Sequence, residues 1–175
     1  MKTTLRLAFS ILLVLTLLQS ARAQEKKREK SGAPLAVIDV PGLTYSGRTK
    51  IEPSTEKELS AWAIKKLRVY LDKTGKIKAR GEIPPEGKAP AAEYFLISGF
   101  ELVGIPENRL LTYNCRLVKV KSSEIMKAAT RARDVSEKFD WPSGAPAAID
   151  KSASGKIMDR LMKEAIPELM EKFGK

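Results

Sequence analysis

Three acidic residues, Glu82, Glu86 and Glu93, flank the proline-rich stretch GEIPPEGKAPAA, and three more, Asp134, Glu137 and Asp140, follow the run IMKAATRAR. Paired carboxylates are the one constellation in this chain suited to hydrolytic acid–base work, because a glycosidase sets one protonated and one ionised carboxyl across the bond it cleaves. Acids in polar loops ordinarily have water as their partner, and these six are read as solvated. The chain has no histidine, which removes the usual base near neutral pH, the activator of serine and cysteine nucleophiles, and the commonest transition-metal ligand. Cys115 is the single cysteine, too few for a zinc or iron–sulfur site. It alternates with Leu111, Tyr113 and Leu117, which marks it as a small buried hydrophobe and not a reactive thiolate. SASGKI (152–157) approaches a phosphate loop at Gly155–Lys156, but Asp150 stands where the first glycine belongs and Ile157 where the hydroxyl belongs. PGLTYSGR, after LAVIDV, lacks the glycine spacing of a dinucleotide site. No catalytic residue, no cofactor and no metal is expected, and the enzyme class drops out.

The amino terminus carries a short basic head (Lys2, Arg6), an apolar run, LAFSILLVLTLL, and then QSARAQ. The run is too short for a spanning helix, which needs about 20 apolar residues, and Ala21 and Ala23 are the small residues that signal peptidase accepts. Cleavage between Ala23 and Gln24 is expected, so residues 1–23 are a signal peptide and the working protein is exported, to the periplasm or beyond. Removing that segment takes three of the 32 basic residues (Lys2, Arg6, Arg22) and none of the 21 acidic ones, leaving a net charge of +8. Residues 24–33, QEKKREKSGA, have charge without apolar periodicity and read as a flexible arm. Residues 34–175 are one domain's length. A lone cysteine excludes an intramolecular disulfide, and ARAQ offers no cysteine for lipid attachment.

LAVIDV (35–40) is apolar on both faces and predicts a buried strand. Residues 41–53 hold two prolines and two glycines and predict a loop. Thr55 with Glu58 forms a capping box, Leu59, Ala63, Leu67, Tyr70 and Leu71 recur at helical spacing, and Gly75 closes the helix. KIKAR is a short parallel strand reached by that crossover. EYFLISGFELVG and RLLTYNCRLVKV form a hairpin about GIPEN, with Leu111, Tyr113, Cys115 and Leu117 inward, and IMKAATRAR is an edge strand. One long helix is predicted from Pro146 to Phe173, with Ile149, Ala153, Ile157, Leu161 and Ala165 on its apolar face and a kink at Pro167. The expected fold is α/β (α+β), a mixed sheet of about five strands in the order β-α-β-β-β-β-α with two long helices packed on it. Gly99, in mid-strand, predicts a close approach by another part of the backbone, with the last helix as the neighbour.

Contact surfaces remain. Basic charge gathers on EKKREK and on Lys119, Lys121, Lys127, Arg131 and Arg133. Without aromatic residues between them these do not suit single-stranded nucleic acid, so nucleic acid is not expected as a partner. Trp141 in FDWPSG has two readings: an anchor for a partner's pocket, or a lid on the domain's own core. Lys119, Lys121, Arg131, Arg133 and Trp141 are the candidate contacts.

LAVIDV as first strand, AAEYFLISGFELV with its mid-strand glycine, and CRLVKVKSSEIMKA as the next strand and turn together resemble a family of bacterial envelope proteins. This family contains the lipoprotein CsgG, the penicillin-binding-protein activator LpoB, FlgO, FlgT and the amino-terminal domain of TolB, and the resemblance spans residues 35–132. It implies a small α/β domain without enzymatic activity that anchors, assembles or activates envelope machinery. The chain departs from several members in having no lipid-modified cysteine, and from the channel-forming ones in having no long amphipathic hairpin. Two partner classes follow: a protein of the envelope, or, through the basic arm and edge, an anionic polymer or membrane headgroup.

Overall fold

The computed structural model describes residues 36–47, 51–80, 92–105, 108–135, 139–171 and 173. The expected signal cleavage at Ala23–Gln24 and the charged arm lie outside them. The elements are β1 (Ala36–Asp39), β2 (Leu43–Gly47), α1 (Pro53–Asp72), β3 (Ile77–Arg80), β4 (Tyr94–Ile105), β5 (Asn108–Lys119), β6 (Ile125–Val135), α2 (Pro146–Lys151) and α3 (Ala153–Met170). The strands make one mixed sheet in the order β3-β1-β4-β5-β6, with β2 also paired to β4. The predicted mixed sheet with two long helices is present, and it contains one strand and one short helix that the spacing did not show.

The additional strand is β2, in the stretch read as a loop. β1 pairs in parallel with Tyr94 and Phe95, and β2 pairs in parallel with Ser98 to Leu102, so both lie along the same side of β4. Asp39 stands opposite Phe95 and Leu43 opposite Ser98, which leaves Val40, Pro41 and Gly42 facing only Leu96 and Ile97. That extra residue is a bulge, and proline, with no N–H to give to a ladder, is at home there.

α1 begins at Pro53, not at a Thr55 cap: Glu52 precedes it without a side-chain cap, and proline's fixed φ suits the first helical position. The Glu58 carboxylate accepts a hydrogen bond from the Gly144 backbone N–H at 2.8 Å, so the group expected to close a capping box holds a distant loop instead. The last helix is two helices. Ser152 is extended (φ −66°, ψ 150°) and caps the second, its Oγ accepting from Gly155 N–H at 2.9 Å and donating to the Ile149 carbonyl at 2.8 Å. A Cβ on Gly155 would sit 2.0 Å from the Ile149 carbonyl oxygen, so this glycine permits the tight junction. α3 then runs unbroken past Pro167, where a kink was predicted. The carbonyl deprived of a donor belongs to exposed Lys163, where water can satisfy it. Ala153, expected on the apolar face, is exposed, because the break at Ser152 rotates it outward.

Leu59, Trp62, Leu67 and Leu71 of α1 and Met158, Leu161, Met162 and Leu169 of α3 pack on Leu96, Phe100, Leu111, Tyr113, Cys115 and Leu117 in one core. At about 1.5–3 kcal/mol for each large side chain buried, this one-sided layer dominates the fold's stability. The helices are joined to each other at Lys66. Its ammonium lies 2.8 Å from Asp150 of α2 and 3.5 Å from Asp159 of α3, the Trp62 indole N–H donates to Asp150 at 2.9 Å, and the Tyr70 hydroxyl donates to Asp159.

Hydrogen bonding from Lys66, then from Trp62, holds the Asp150 carboxyl below its ordinary value of 3.8. A carboxyl depressed in the folded state stabilises it above the unfolded pKa and loses that contribution as pH falls through the folded one. Asp150→Asn keeps an acceptor for the indole and removes only the charge. It should lower stability near pH 7 by less than about 1 kcal/mol, the scale of a partly exposed pair. In urea unfolding the gap from the unsubstituted protein should close as pH drops below 3.8.

Candidate functional site

Strand geometry decides which surfaces are available. In β4, Leu96, Ser98, Phe100 and Leu102 are buried, while Ile97, Glu101 and Val103 between them are exposed. In β5, Leu111, Tyr113, Cys115 and Leu117 are buried, while Leu110, Asn114 and Arg116 are exposed. Side chains alternate between faces with period two, so the helices cover one face of the β4–β5–β6 sheet and, among the described residues, no helix covers the other. Six of the seven large apolar side chains found exposed among the described residues lie on β4, β5 and β6: Ile97, Val103, Ile105, Leu110, Ile125 and Met126. Ile105 is 55% exposed and Met126 49%. Apolar side chains gathered toward the two ends of one uncovered face mark an interaction surface more often than scattered single residues do.

Pairing register lays this face out in rows. Across the middle run Thr44, Gly99, Asn114 and Thr130, all small or polar, with Thr130 Oγ1 bonded to Asn114 Oδ1 at 2.8 Å. One row further along β4 come Ser46, Glu101, Thr112 and Ala132, and one row back come Ile97, Arg116 and Ala128. Thr44, Ser46, Ile97, Glu101, Asn114 and Arg116 among them line a shallow recess of about 400 Å³ around Gly99. A Cβ at Gly99 would lie 2.2 Å from Thr44 Oγ1 and 2.7 Å from the Thr44 carbonyl oxygen. The close approach that the mid-strand glycine predicted is real, but its neighbour is β2 and not the last helix.

The candidate contacts separate into three groups. Trp141 is only 8% exposed. Its ring meets Tyr45 edge-on at 5.6 Å and Phe139 at 5.4 Å, and Tyr45 in turn stacks on Phe100 at 6.1 Å. Of its two readings the structure shows the lid, and the exposed anchor is corrected. Arg131 forms an ion pair with Glu168, and Arg133 pairs with Glu164 at 2.8 Å, which Arg160 also contacts at 2.9 Å. Arg160 and Arg133 hold the Glu164 carboxyl below its ordinary range. These two arginines fasten α3 to the edge strand. Lys119 and Lys121 are exposed at the β5–β6 turn, where Ser123 takes a positive φ of 55°.

The one thiol weighed for chemistry is a packed core group. Cys115 is 3% exposed, its thiol donates to the Ala129 carbonyl at 3.6 Å, and burial pushes its pKa up to about 11, the opposite of what a nucleophile requires. Burial likewise raises Tyr113 well above its ordinary value. Among the described residues no group of three or more acids and cysteines is arranged to hold a metal. Glu82, Glu86 and Glu137 lie outside the described residues. The open sheet face was not singled out on the sequence, although the exposed members of the alternation, Ile97, Val103 and Leu110, are unusually apolar for a solvated surface.

Gly99→Ala should cost about 1–3 kcal/mol in urea unfolding, the scale of forced overpacking. Adding Thr44→Ala should recover only part of it, because the Thr44 carbonyl belongs to the backbone and cannot be trimmed away.

No protein-family model matches the chain, and no curated protein matches it by sequence. Solved structures do match in fold. Hypothetical protein CT253 from Chlamydia trachomatis is 13% identical with a TM-score of 0.50, the match covering 78% of this chain and 96% of that one. The PelC dodecamer from Paraburkholderia phytofirmans is 15% identical with a TM-score of 0.49, over 77% and 87%. The LpoB C-terminal domain from Escherichia coli is 17% identical with a TM-score of 0.40, over 57% and 82%. At these identities the likeness, which reaches a TM-score of 0.50 with CT253, is one of fold alone.

Proposed function

We propose that this chain is an exported, periplasmic, non-enzymatic accessory or adaptor domain of a bacterial cell envelope, docking a protein partner on its uncovered sheet face. The observation that carries this reading is the concentration of exposed large apolar side chains on β4, β5 and β6. Export is supported by the amino-terminal pattern ending at Ala23–Gln24, and no helix of the described residues is long and apolar enough to cross a membrane. The non-enzymatic reading is supported by the buried thiol with its raised pKa.

The competing reading is a basic module for anionic polymer or lipid headgroups. Lys119 and Lys121 keep it in play, but Arg131 and Arg133, two of the five basic residues invoked for it on the last two strands, are neutralised by α3. A photocrosslinking residue placed at Val103 in living cells should trap protein, and one at Lys121 should not. Binding should survive a rise from about 0.1 M to about 1 M salt, over which the screening length falls from about 10 Å to about 3 Å. Trapping only from Lys121, or collapse of binding in salt, would transfer the function to the basic surface.

A further inference from the structure

The open face is complementary to itself, and from its register we infer that its occupant is a second copy of this chain, stacked face to face about a two-fold axis over the Gly99–Asn114 pair. The inference rests on the reading of this face as a protein-docking surface and names the partner. An isologous contact requires that each row meet the row related to it by the axis. β4 and β5 pair without interruption from Tyr94↔Lys119 to Ile105↔Asn108, so the rows can be counted outward from Gly99↔Asn114. Two residues to one side lies Glu101 beside Thr112, and two to the other lies Ile97 beside Arg116. The axis brings each Glu101 over the other copy's Ile97–Arg116 row, so that acid and base meet twice.

Four residues out, Val103 and Leu110 on one side correspond to Phe95 and Val118 on the other. The axis therefore places apolar rows on apolar rows at both ends. The middle row falls on its own symmetry mate, and there the side chains are small or polar, with glycine at the centre, so the two sheets can approach at the waist. Asp134 lies outermost on β6 beside Leu110, at the rim, where its charge can remain hydrated. Glu101 and Arg116 are neighbours on the diagonal and not directly across the axis. Aligning them inclines the strands of the two copies, as twisted sheets do when they stack at about 30°.

Size and charge agree with this occupant. With strands of 5, 12, 12 and 11 residues in β2, β4, β5 and β6, about 3.4 Å per residue and about 4.8 Å per strand, the four columns offer about 650 Å² per copy, within the range of a specific interface. Glu101 and Arg116 are both exposed, and neither forms an ion pair among the described residues, so both are available.

The test is sedimentation equilibrium of the natively processed protein, with a charge-reversal cycle. The unsubstituted protein should show a species of twice the chain mass that dissociates on dilution. Glu101→Arg and Arg116→Glu should each weaken association about tenfold by setting like charges opposite each other, and the double reversal should restore it to within about threefold. Val103→Lys should weaken it with no rescue from either reversal. Both charged positions are exposed, so folding should hold by circular dichroism; if a reversal unfolds the chain, Glu101→Gln and Arg116→Gln give the same reading through loss of the attraction. A monomer at every concentration, or single reversals without effect, overturns the inference. If the purified protein is monomeric while Val103 traps a different protein in cells, the second copy is wrong and the adaptor reading stands. If it is a dimer while cellular binding is salt-labile and maps to Lys121, the reverse holds.

Discussion

Twelve consecutive antiparallel pairs join β4 to β5, and because side chains alternate across a strand, this one ladder decides the fate of every residue on both. It sends Leu96, Phe100, Leu111, Tyr113 and Leu117 into the layer beneath the helices and turns Ile97, Val103 and Leu110 the other way. A slip of one residue would exchange the two sets. The helices are positioned by the same ladder, since α1 and α3 cover only the side that carries its buried members. One pairing register thus specifies both the core and the face left uncovered.

Charge in this molecule is used mainly to locate helices. Arg131 and Arg133 alternate on the covered side of β6, where they meet Glu168 and Glu164, two acids one turn apart on α3. Lys66 does the same for α1 against Asp150 and Asp159. Each pair is partly exposed and individually worth little, yet together they choose one rotational setting for helices whose apolar faces would tolerate several. A net positive charge read from composition is therefore a poor guide to the surface, because much of the basic charge on the edge strand is answered locally.

The strong alternation of β4 and β5 and the helical spacing of Leu59, Leu67 and Leu71 were legible in the sequence, because in each the signal is local and repeats several times. β2 was not, because its five residues are bracketed by Pro41, Gly42 and Gly47 and its partner lies some 55 residues away along the chain. That omission had a consequence: without Tyr45 in a strand, nothing in the sequence shows what Trp141 packs against. The division of the last helix was hidden for another reason. Serine is tolerated within helices, and Ser152 becomes a terminus only because Gly155 allows the Ile149 carbonyl to come so near. The open sheet face was legible only in part, since an exposed valine or isoleucine becomes informative once register shows that its neighbours are exposed too.

Cys115 lies at the centre of the covered side, bonded to the Ala129 carbonyl and shut off from solvent. With every other position free of sulfhydryls, the molecule carries a built-in gauge of its own integrity. While the sheet stays roofed, a reagent specific for thiols finds nothing to modify, and the first thiol label to appear dates the moment at which helix and strand part.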